Sequence, residues 1–297
     1  MPNYDDYDNL IVDHVGTDGR VGRITMNRPE KLNALSSGLL FELNEVLHDM
    51  EADNDIRVII LRGAGRAFCA GYDLTPNPGG SGGPNRAYKS SDDKRRMLIM
   101  GVRTSMQQIT DIQMYFWNMA KVTIASVHRY ALAGGCELAM MADLVVASDD
   151  TEIGHPGHRG LGVARNGVIW PLVIGMRKAK ELSYTGESIS AAEAERIGMI
   201  NYCWPRDELE KRTIAFADRL AIMSADHLAI LKLNMNRFYE NMGIYSSVRS
   251  STEHDAMAQM TQFAYLWQEK MRELGFRAAV DWRDDQFRDL DTYRDKD

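Results

Sequence analysis

The segment Ala131-Leu-Ala-Gly-Gly-Cys-Glu-Leu-Ala-Met-Met-Ala-Asp143 places a glycine pair in front of a short apolar run that carries one carboxylate. The pair predicts the start of a helix, with Glu137 about one turn further on, roughly 5 Å along the axis. Because a helix N-terminus has unpaired N–H groups and partial positive charge, it stabilises an anion. The segment therefore predicts an anion site beside a proton-transfer group, although the helix dipole alone also favours a glutamate here.

A second turn of the same kind lies earlier in the chain. The run Val58-Ile-Ile-Leu-Arg62 is short, apolar and rich in β-branched residues, which predicts a buried strand. It continues into Gly63-Ala-Gly-Arg-Ala-Phe-Cys-Ala-Gly-Tyr-Asp-Leu74. Within that segment Gly71 precedes the backbone N–H of Tyr72, where we expect a strand-to-helix turn. The chain thus repeats the combination of a glycine and a backbone N–H at a turn.

These two segments resemble signatures of the enoyl-CoA hydratase/isomerase (crotonase) superfamily. The segment from Ala67 to Leu74 matches A-F-x-A-G-x-D-[LI], and the segment from Ala131 matches A-x-[AG]-G-G-x-E-L-A-x-x-x-D. Ala133 stands where a third glycine is common in the family. The resemblance includes two further segments, so that it runs from about Val21 to Trp204. They are Asn27-Arg-Pro-Glu-Lys-Leu-Asn-Ala-Leu35 and Tyr184-Thr-Gly-Glu-Ser-Ile-Ser-Ala-Ala-Glu-Ala194.

The pattern of predicted elements by itself supports an α/β protein followed by α-helices. The resemblance implies more: a crotonase-like repeated ββα core with a C-terminal α-helical region. On that basis we expect the core and its active site in residues 1–205. Residues 206–297 are expected to serve oligomerisation and site closure, in a homotrimer or a dimer of trimers.

Local patterns predict individual elements. Two strands joined by a hairpin turn are followed by a helix that Ser36 or Ser37 caps and that runs to about Glu51. The Gly- and Pro-rich stretch 76–84 predicts a mobile loop, with a role as a lid left open. The predicted strands are Leu10–Val15, Val21–Met26, Arg57–Arg62, Val122–Val127 and Leu144–Ala147. The predicted C-terminal helices are Asp207–Ser224, Asp226–Tyr239 and Ser246–Leu274, followed by a polar tail.

The resemblance also assigns site residues. It implies that the backbone N–H groups of Tyr72 and Gly134 form an oxyanion hole and that Glu137 is the acid/base. No permanently bound cofactor is expected, because coenzyme A enters as part of an acyl-CoA thioester substrate. The implied contacts to coenzyme A are Lys31, Leu32, Ala70, Asp73 and Leu74. Among these, Lys31 is the side chain with a positive charge for a phosphate, although a solvated surface lysine is an equally good interpretation.

The chain departs from the family pattern at several positions. Gly157 stands where hydratases of the family carry a second glutamate, and glycine cannot transfer a proton. His158 or His155 could supply the missing acid/base, since imidazole titrates near neutrality. Arg129 stands where glycine is usual, and the glycine-rich turn is altered to Gly162-Val-Ala-Arg-Asn-Gly167. We interpret Arg159 and Arg165 as surface or ion-pair residues, with contact to a substrate carboxylate as the alternative.

Three functions fit these residues. The first is an acyl-CoA lyase or isomerase of the enoyl-CoA hydratase/isomerase type, in which a single carboxylate suits double-bond migration or a reaction that needs only an enolate. The second is a crotonase-fold hydrolase that cleaves a C–C bond or a CoA thioester. The third is a non-catalytic acyl-CoA-binding protein. The intact Gly134-Gly135-Cys136-Glu137 stretch favours catalysis over the third function.

Bulk properties exclude other classes. A net charge of −7 and an isoelectric point near 5.6 argue against a nucleic-acid partner, which needs a basic face. No CxxC motif or His/Cys cluster suggests a metal. The acidic N-terminal residues lack the apolar run of a signal peptide, and no run approaches the ~20 apolar residues that span a bilayer. We therefore expect a cytoplasmic protein without a membrane partner.

Overall fold

A computed structural model of the chain describes residues 7–74 and 99–287. The loop predicted at 76–84 lies outside these residues. The strands are β1 (Leu10–Val15), β2 (Val21–Met26), β3 (Val58–Gly63), β4 (Val122–Val127), β5 (Tyr130–Leu132), β6 (Leu144–Ser148), β7 (Glu152–Gly154), β8 (Ser188–Ser190) and β9 (Tyr202–Trp204). The helices are α1 (Ser37–Ala52), α2 (Ile99–Asn118), α3 (Gly134–Met140), α4 (Trp170–Ile174), α5 (Met176–Thr185), α6 (Ala191–Arg196), α7 (Leu209–Ala221), α8 (Ala225–Asn241), α9 (Ile244–Ala258), α10 (Gln262–Leu274) and α11 (Phe276–Asp285).

Two sheets form the core, and they confirm the predicted α/β class. The larger sheet has the order β1-β2-β3-β4-β6-β9. Its first pair is the predicted antiparallel hairpin, and each later pair is parallel, with Val21 opposite Val58 and Val58 opposite Val122. The smaller sheet has the order β5-β7-β8. Because parallel strands need crossover connections, helices cover the larger sheet, and its central strands β3 and β4 are mostly apolar and buried.

Helix α1 follows the sequence pattern closely. The Leu39 N–H donates to the Ser36 hydroxyl at 3.2 Å, so Ser36 is the N-cap that the sequence predicts. The predicted apolar face of Leu39, Leu40, Leu43 and Val46 is buried. The helix ends at Ala52, one residue beyond the predicted end.

Two predictions for the C-terminal helices are wrong. The helix predicted over Ser246–Leu274 is two helices. Helix α9 ends at Ala258, and the Thr261 hydroxyl caps α10 by accepting the Ala264 N–H at 3.2 Å. The predicted polar tail contains helix α11, in which Ala279 and Arg283 are buried. These two residues are four apart and therefore lie on the same side of the helix. Two such positions in a charged segment are too few to show the apolar face of an amphipathic helix in the sequence.

A buried lysine ties the helical region to the sheet. The Lys232 ammonium on α8 donates to Asp143 Oδ2 at 2.8 Å and to the Lys121 carbonyl at 3.0 Å. The same carboxylate accepts the backbone N–H and hydroxyl of Thr123. The last residue of the Ala131–Asp143 segment therefore has a structural role. Within the described residues, no helix is both long enough and apolar enough to cross a membrane.

His128, directly after β4, is buried and has no charged partner at hydrogen-bond distance among the residues that the structure describes. One ring nitrogen lies 3.1 Å from the Gly65 carbonyl, and the residue is 4% exposed. Burial, with a smaller contribution from Arg206, lowers the pKa of His128 to about 4.

This depressed pKa predicts acid sensitivity. Between pH 7.5 and 5.5 the unfolded chain protonates this histidine, with a pKa near ~6.5, while the native state does not. His128 therefore lowers the free energy of unfolding by about 1.4 kcal/mol over this interval. In urea unfolding, the free energy of unfolding of the His128→Gln variant should fall between pH 7.5 and 5.5 by about 1.4 kcal/mol less than that of the unmodified protein. An unchanged loss in the variant would contradict the prediction.

Candidate active site

The two glycine-containing turns meet in the fold. The Cys69 N–H donates to the Tyr130 carbonyl at 2.9 Å, and the Leu132 N–H donates to the Cys69 carbonyl at 3.0 Å. A Cβ atom on Gly135 would lie 2.3 Å from the Cys69 carbonyl oxygen, so the close approach requires glycine there. Helix α3 begins at Gly134, as the sequence predicts.

Two backbone N–H groups at this junction differ from their neighbours in their hydrogen bonding. Neither the Tyr72 N–H nor the Gly134 N–H has an acceptor among residues 7–74 and 99–287. Neighbouring backbone groups are paired: the Leu35 N–H donates to the Gly71 carbonyl at 2.8 Å, and the Ala133 N–H donates to the Gly154 carbonyl at 2.9 Å. A pair of unsatisfied donors beside a helix N-terminus is suited to an anionic oxygen.

The Glu137 carboxylate lies beside these donors and is surrounded by polar groups. Its side chain is 2% exposed. Oε1 accepts the backbone N–H of Arg165 at 3.0 Å and lies 3.4 Å from His155 Nε2. Oε2 accepts Arg165 Nη2 at 2.7 Å and Gln113 Nε2 at 3.4 Å, and it also bonds to the Tyr72 hydroxyl. A buried carboxylate persists because it is paired and hydrogen-bonded in this way.

Tyr72 contributes a side chain as well as an N–H. Its half-buried ring covers Gly134, where a Cβ atom would lie 2.5 Å from Cε2. Its hydroxyl donates to Glu137 Oε2 and accepts from Gln113 Nε2 at 3.1 Å and from Arg165 Nη2. The Arg165 guanidinium also lies over the ring, 4.5 Å from the centroid. Sequence reasoning assigned Tyr72 a backbone role and missed this side-chain role.

Arg165 joins two carboxylates in the interior. Besides Glu137, it approaches Asp255 on α9 at 3.7 Å, and Asp255 accepts the Val163 N–H at 2.9 Å. Burial lowers the pKa of Arg165, and burial raises the pKa of Asp255 against the opposing effect of Arg165. Of the two predicted alternatives, a surface residue or an ion-pair residue, the structure shows the ion pair, and Arg165 is 2% exposed. Arg159 pairs with Asp284 at 3.4 Å.

Two histidines, His155 and His158, lie near Gly157, the position at which the family pattern has a second glutamate. A Cβ atom on Gly157 would lie 2.9 Å from His155 Cε1, so the His155 ring fills the space into which a side chain at 157 would point. The His158 ring lies 4.3 Å from that ring, and its Nε2 accepts the Ala164 N–H at 2.9 Å. Burial, and secondarily His155, lower the pKa of His158 to about 3. His158 is therefore neutral near pH 7, and its predicted acid/base role stays a prediction.

The five residues predicted to contact coenzyme A lie in two neighbouring segments, residues 31–32 and 70–74. The Ala70 N–H donates to the Leu32 carbonyl at 3.0 Å. Lys31 and Leu74 are exposed, whereas Asp73 is 6% exposed and pairs with Arg28 at 2.9 Å. The five residues are thus close to the Tyr72 turn, and their contact with coenzyme A stays a prediction.

Comparison with known proteins identifies the family. The family model for enoyl-CoA hydratase/isomerase matches residues 16–284. The chain therefore belongs to the enoyl-CoA hydratase/isomerase family of the crotonase superfamily.

Individual relatives agree with this class. The chain is 37% identical over 246 residues to "Putative enoyl-CoA hydratase EchA13" of Mycobacterium tuberculosis, covering 78% of this chain and 74% of the relative. A crystal structure of an enoyl-CoA hydratase from Mycobacterium smegmatis has a TM-score of 0.86 at 30% identity, covering 97% of each chain. An enoyl-CoA hydratase/isomerase from Xanthobacter autotrophicus has a TM-score of 0.82 at 30% identity, covering 95% of this chain and 99% of its own.

Removing the Arg165 charge should destabilise the site. The Arg165→Met variant leaves two buried carboxylates without their shared cation, so we expect the free energy of unfolding to fall by on the order of 3 kcal/mol. The matched Arg159→Met variant removes a more exposed ion pair and should cost less than about 1 kcal/mol. Denaturant unfolding measures both, and equal losses in the two variants would contradict the assignment.

Proposed function

We propose that the protein processes acyl-CoA thioesters by stabilising a thioester enolate, with Glu137 as the acid/base. The observation that carries the proposal is the pair of N–H groups, of Tyr72 and Gly134, that have no acceptor in the described part of the chain and lie near the buried Glu137 carboxylate. Adding a nucleophile to a conjugated enoyl thioester, or removing a proton next to its carbonyl, moves negative charge onto the carbonyl oxygen. Two preorganised donors stabilise that oxygen, and the loss of one typically costs about 3 kcal/mol.

Coenzyme A would enter as part of the substrate. Lys31 offers a positive charge for a phosphate, and Leu32, Ala70, Asp73 and Leu74 belong to the same adjoining segments. The proposal includes no permanently bound cofactor, and a cytoplasmic location remains a prediction.

Gly157 sets the expected substrate preference. Hydration adds oxygen to one carbon and a proton to its neighbour, and two carboxylates perform this more readily than one. We therefore propose slow hydration of simple enoyl-CoA esters and a physiological substrate that is bulkier or different. A hydrolase acting on a C–C bond or a CoA thioester is the second candidate, because Gly157 removes a group that hydratases of the family use. A non-catalytic acyl-CoA-binding protein is the third.

A panel of enoyl-CoA esters tests the proposal. The purified protein and its Glu137→Gln variant are incubated with crotonyl-CoA and longer trans-2-enoyl-CoA esters in H2O and D2O, and product masses are recorded. We expect conversion or deuterium incorporation that falls at least ~100-fold in the variant, the usual contribution of a positioned acid/base. Crotonyl-CoA should react with a kcat/KM below about 10⁴ M⁻¹s⁻¹.

Each other outcome of the panel identifies an alternative. Release of free thiol or a carboxylic acid would identify the hydrolase. Binding without any conversion or exchange would identify the non-catalytic protein. Efficient crotonyl-CoA hydration would contradict the proposed substrate preference.

Helix α8 supports the proposal of a homotrimer or a dimer of trimers. Large apolar side chains on it are exposed in one protomer, among them Ile230 at 62%, Leu233 at 58% and Phe238 at 62%. Exposed apolar side chains concentrated on one helix are typical of a protein–protein interface. They support the proposed oligomerisation role of residues 206–297.

Charges on this face should separate the protomers. Light scattering coupled to size exclusion should report a smaller assembly for the Ile230→Lys/Phe238→Lys variant, because a desolvated ammonium at an apolar contact is costly. Asn54→Lys, in the loop between α1 and β3, is the matched control that adds charge at an exposed polar position away from this helix. A variant with unchanged mass and unchanged circular dichroism would contradict this interface.

A further inference from the structure

The proposed site contains one carboxylate, yet addition to a double bond needs two proton transfers at different atoms. A second group that exchanges a proton with the substrate carbon next to the thioester carbonyl would leave Glu137 free to act on the water alone. Besides Glu137, the described cluster offers the Tyr72 hydroxyl and the two histidines.

We infer that the Tyr72 hydroxyl is this second proton-transfer group. The inference rests on the proposed function, because it takes the Tyr72 N–H as a donor to the substrate oxygen. A substrate held by that N–H lies beside the phenol of the same residue, whose ring packs where a Cβ atom on Gly134 would lie.

Exposure narrows the cluster to Tyr72 and His158. The side chains of Glu137, Arg165 and His155 are 2%, 3% and 7% exposed, whereas Tyr72 and His158 are half-buried. His158 is less suitable, because its Nε2 already accepts the Ala164 N–H.

The partners of the hydroxyl suit a group that loses and regains a proton. Gln113 Nε2 and Arg165 Nη2 donate to the phenol oxygen, and the Arg165 guanidinium lies over the ring. These donors and the positive charge stabilise the phenolate that remains when the proton leaves. The direct bond between the hydroxyl and Glu137 Oε2 gives a route for the proton to return.

During addition of water, protons move between Glu137, the substrate and Tyr72. Glu137 removes a proton from water as the water oxygen bonds to the β-carbon. The double-bond electrons move to form the enolate, whose oxygen the N–H groups of Tyr72 and Gly134 hold. The enolate re-forms the carbonyl as its α-carbon takes the proton of the Tyr72 hydroxyl. Protonated Glu137 then returns a proton to the phenolate, so the net change is one water added.

Tyr72→Phe tests the inference by removing one oxygen atom while keeping the ring and the backbone N–H. With crotonyl-CoA and trans-2-hexenoyl-CoA we expect kcat to fall at least ~100-fold with KM within about threefold. Tyr184→Phe, which removes the same atom from a residue that is 77% exposed, is the matched control and should match the unmodified protein. A kcat of Tyr72→Phe within threefold of the unmodified protein would overturn the inference.

A second measurement separates proton transfer from simple positioning. Site-specific replacement of Tyr72 by a fluorinated, more acidic tyrosine keeps the hydroxyl and its hydrogen bonds. The pH dependence of kcat should shift to lower pH if the phenol exchanges a proton, and an unchanged profile would overturn the inference even if Tyr72→Phe is impaired. If the unmodified protein neither converts nor exchanges any ester, the proposed function fails first, and a catalytic Tyr72 fails with it. Conversion that depends on Glu137 but not on Tyr72 defeats this inference alone.

Discussion

The buried contact between Arg165 and Glu137 organises the site. A carboxylate that is almost fully removed from water needs a cation and hydrogen-bond donors, and Arg165 provides both a guanidinium and a backbone N–H. The same guanidinium reaches Asp255 on α9, so that a residue of the C-terminal region helps to fix the loop carrying Arg165. Core and helical region are therefore connected electrostatically next to Glu137, in addition to the contact between Lys232 and Asp143.

The sequence predicts those features that depend on local patterns. The Ser36 cap, the apolar face of α1 and the helix start at Gly134 follow from hydrogen bonding and periodicity within a few residues. The break at Thr261 carries a local signal too, a capping hydroxyl, but the apolar pattern around it continues. Helix α11 has little apolar surface of its own and depends on burial of Ala279 and Arg283 against distant parts of the chain.

The site was predictable in its backbone and less so in its side chains. The segments around Tyr72 and Glu137 carry recognisable spacing, because glycine and N–H groups must occupy fixed places in a turn. The roles of Gln113, Arg165 and Asp255 depend on contacts between residues that are far apart in the chain, with Asp255 as many as 92 positions from Val163. The altered turn that contains Arg165 was the one available signal, since an arginine in place of a glycine-rich sequence needs a partner.

The packing of His155 against Gly157 couples the residues that these two positions can hold. The imidazole lies where a larger residue at 157 would begin, so a carboxylate introduced there requires the ring to move. Replacing His155 alone with a smaller residue would leave a void beside Glu137. A designer who wants two glutamates in this site therefore has to change both positions together, because each single change is destabilising.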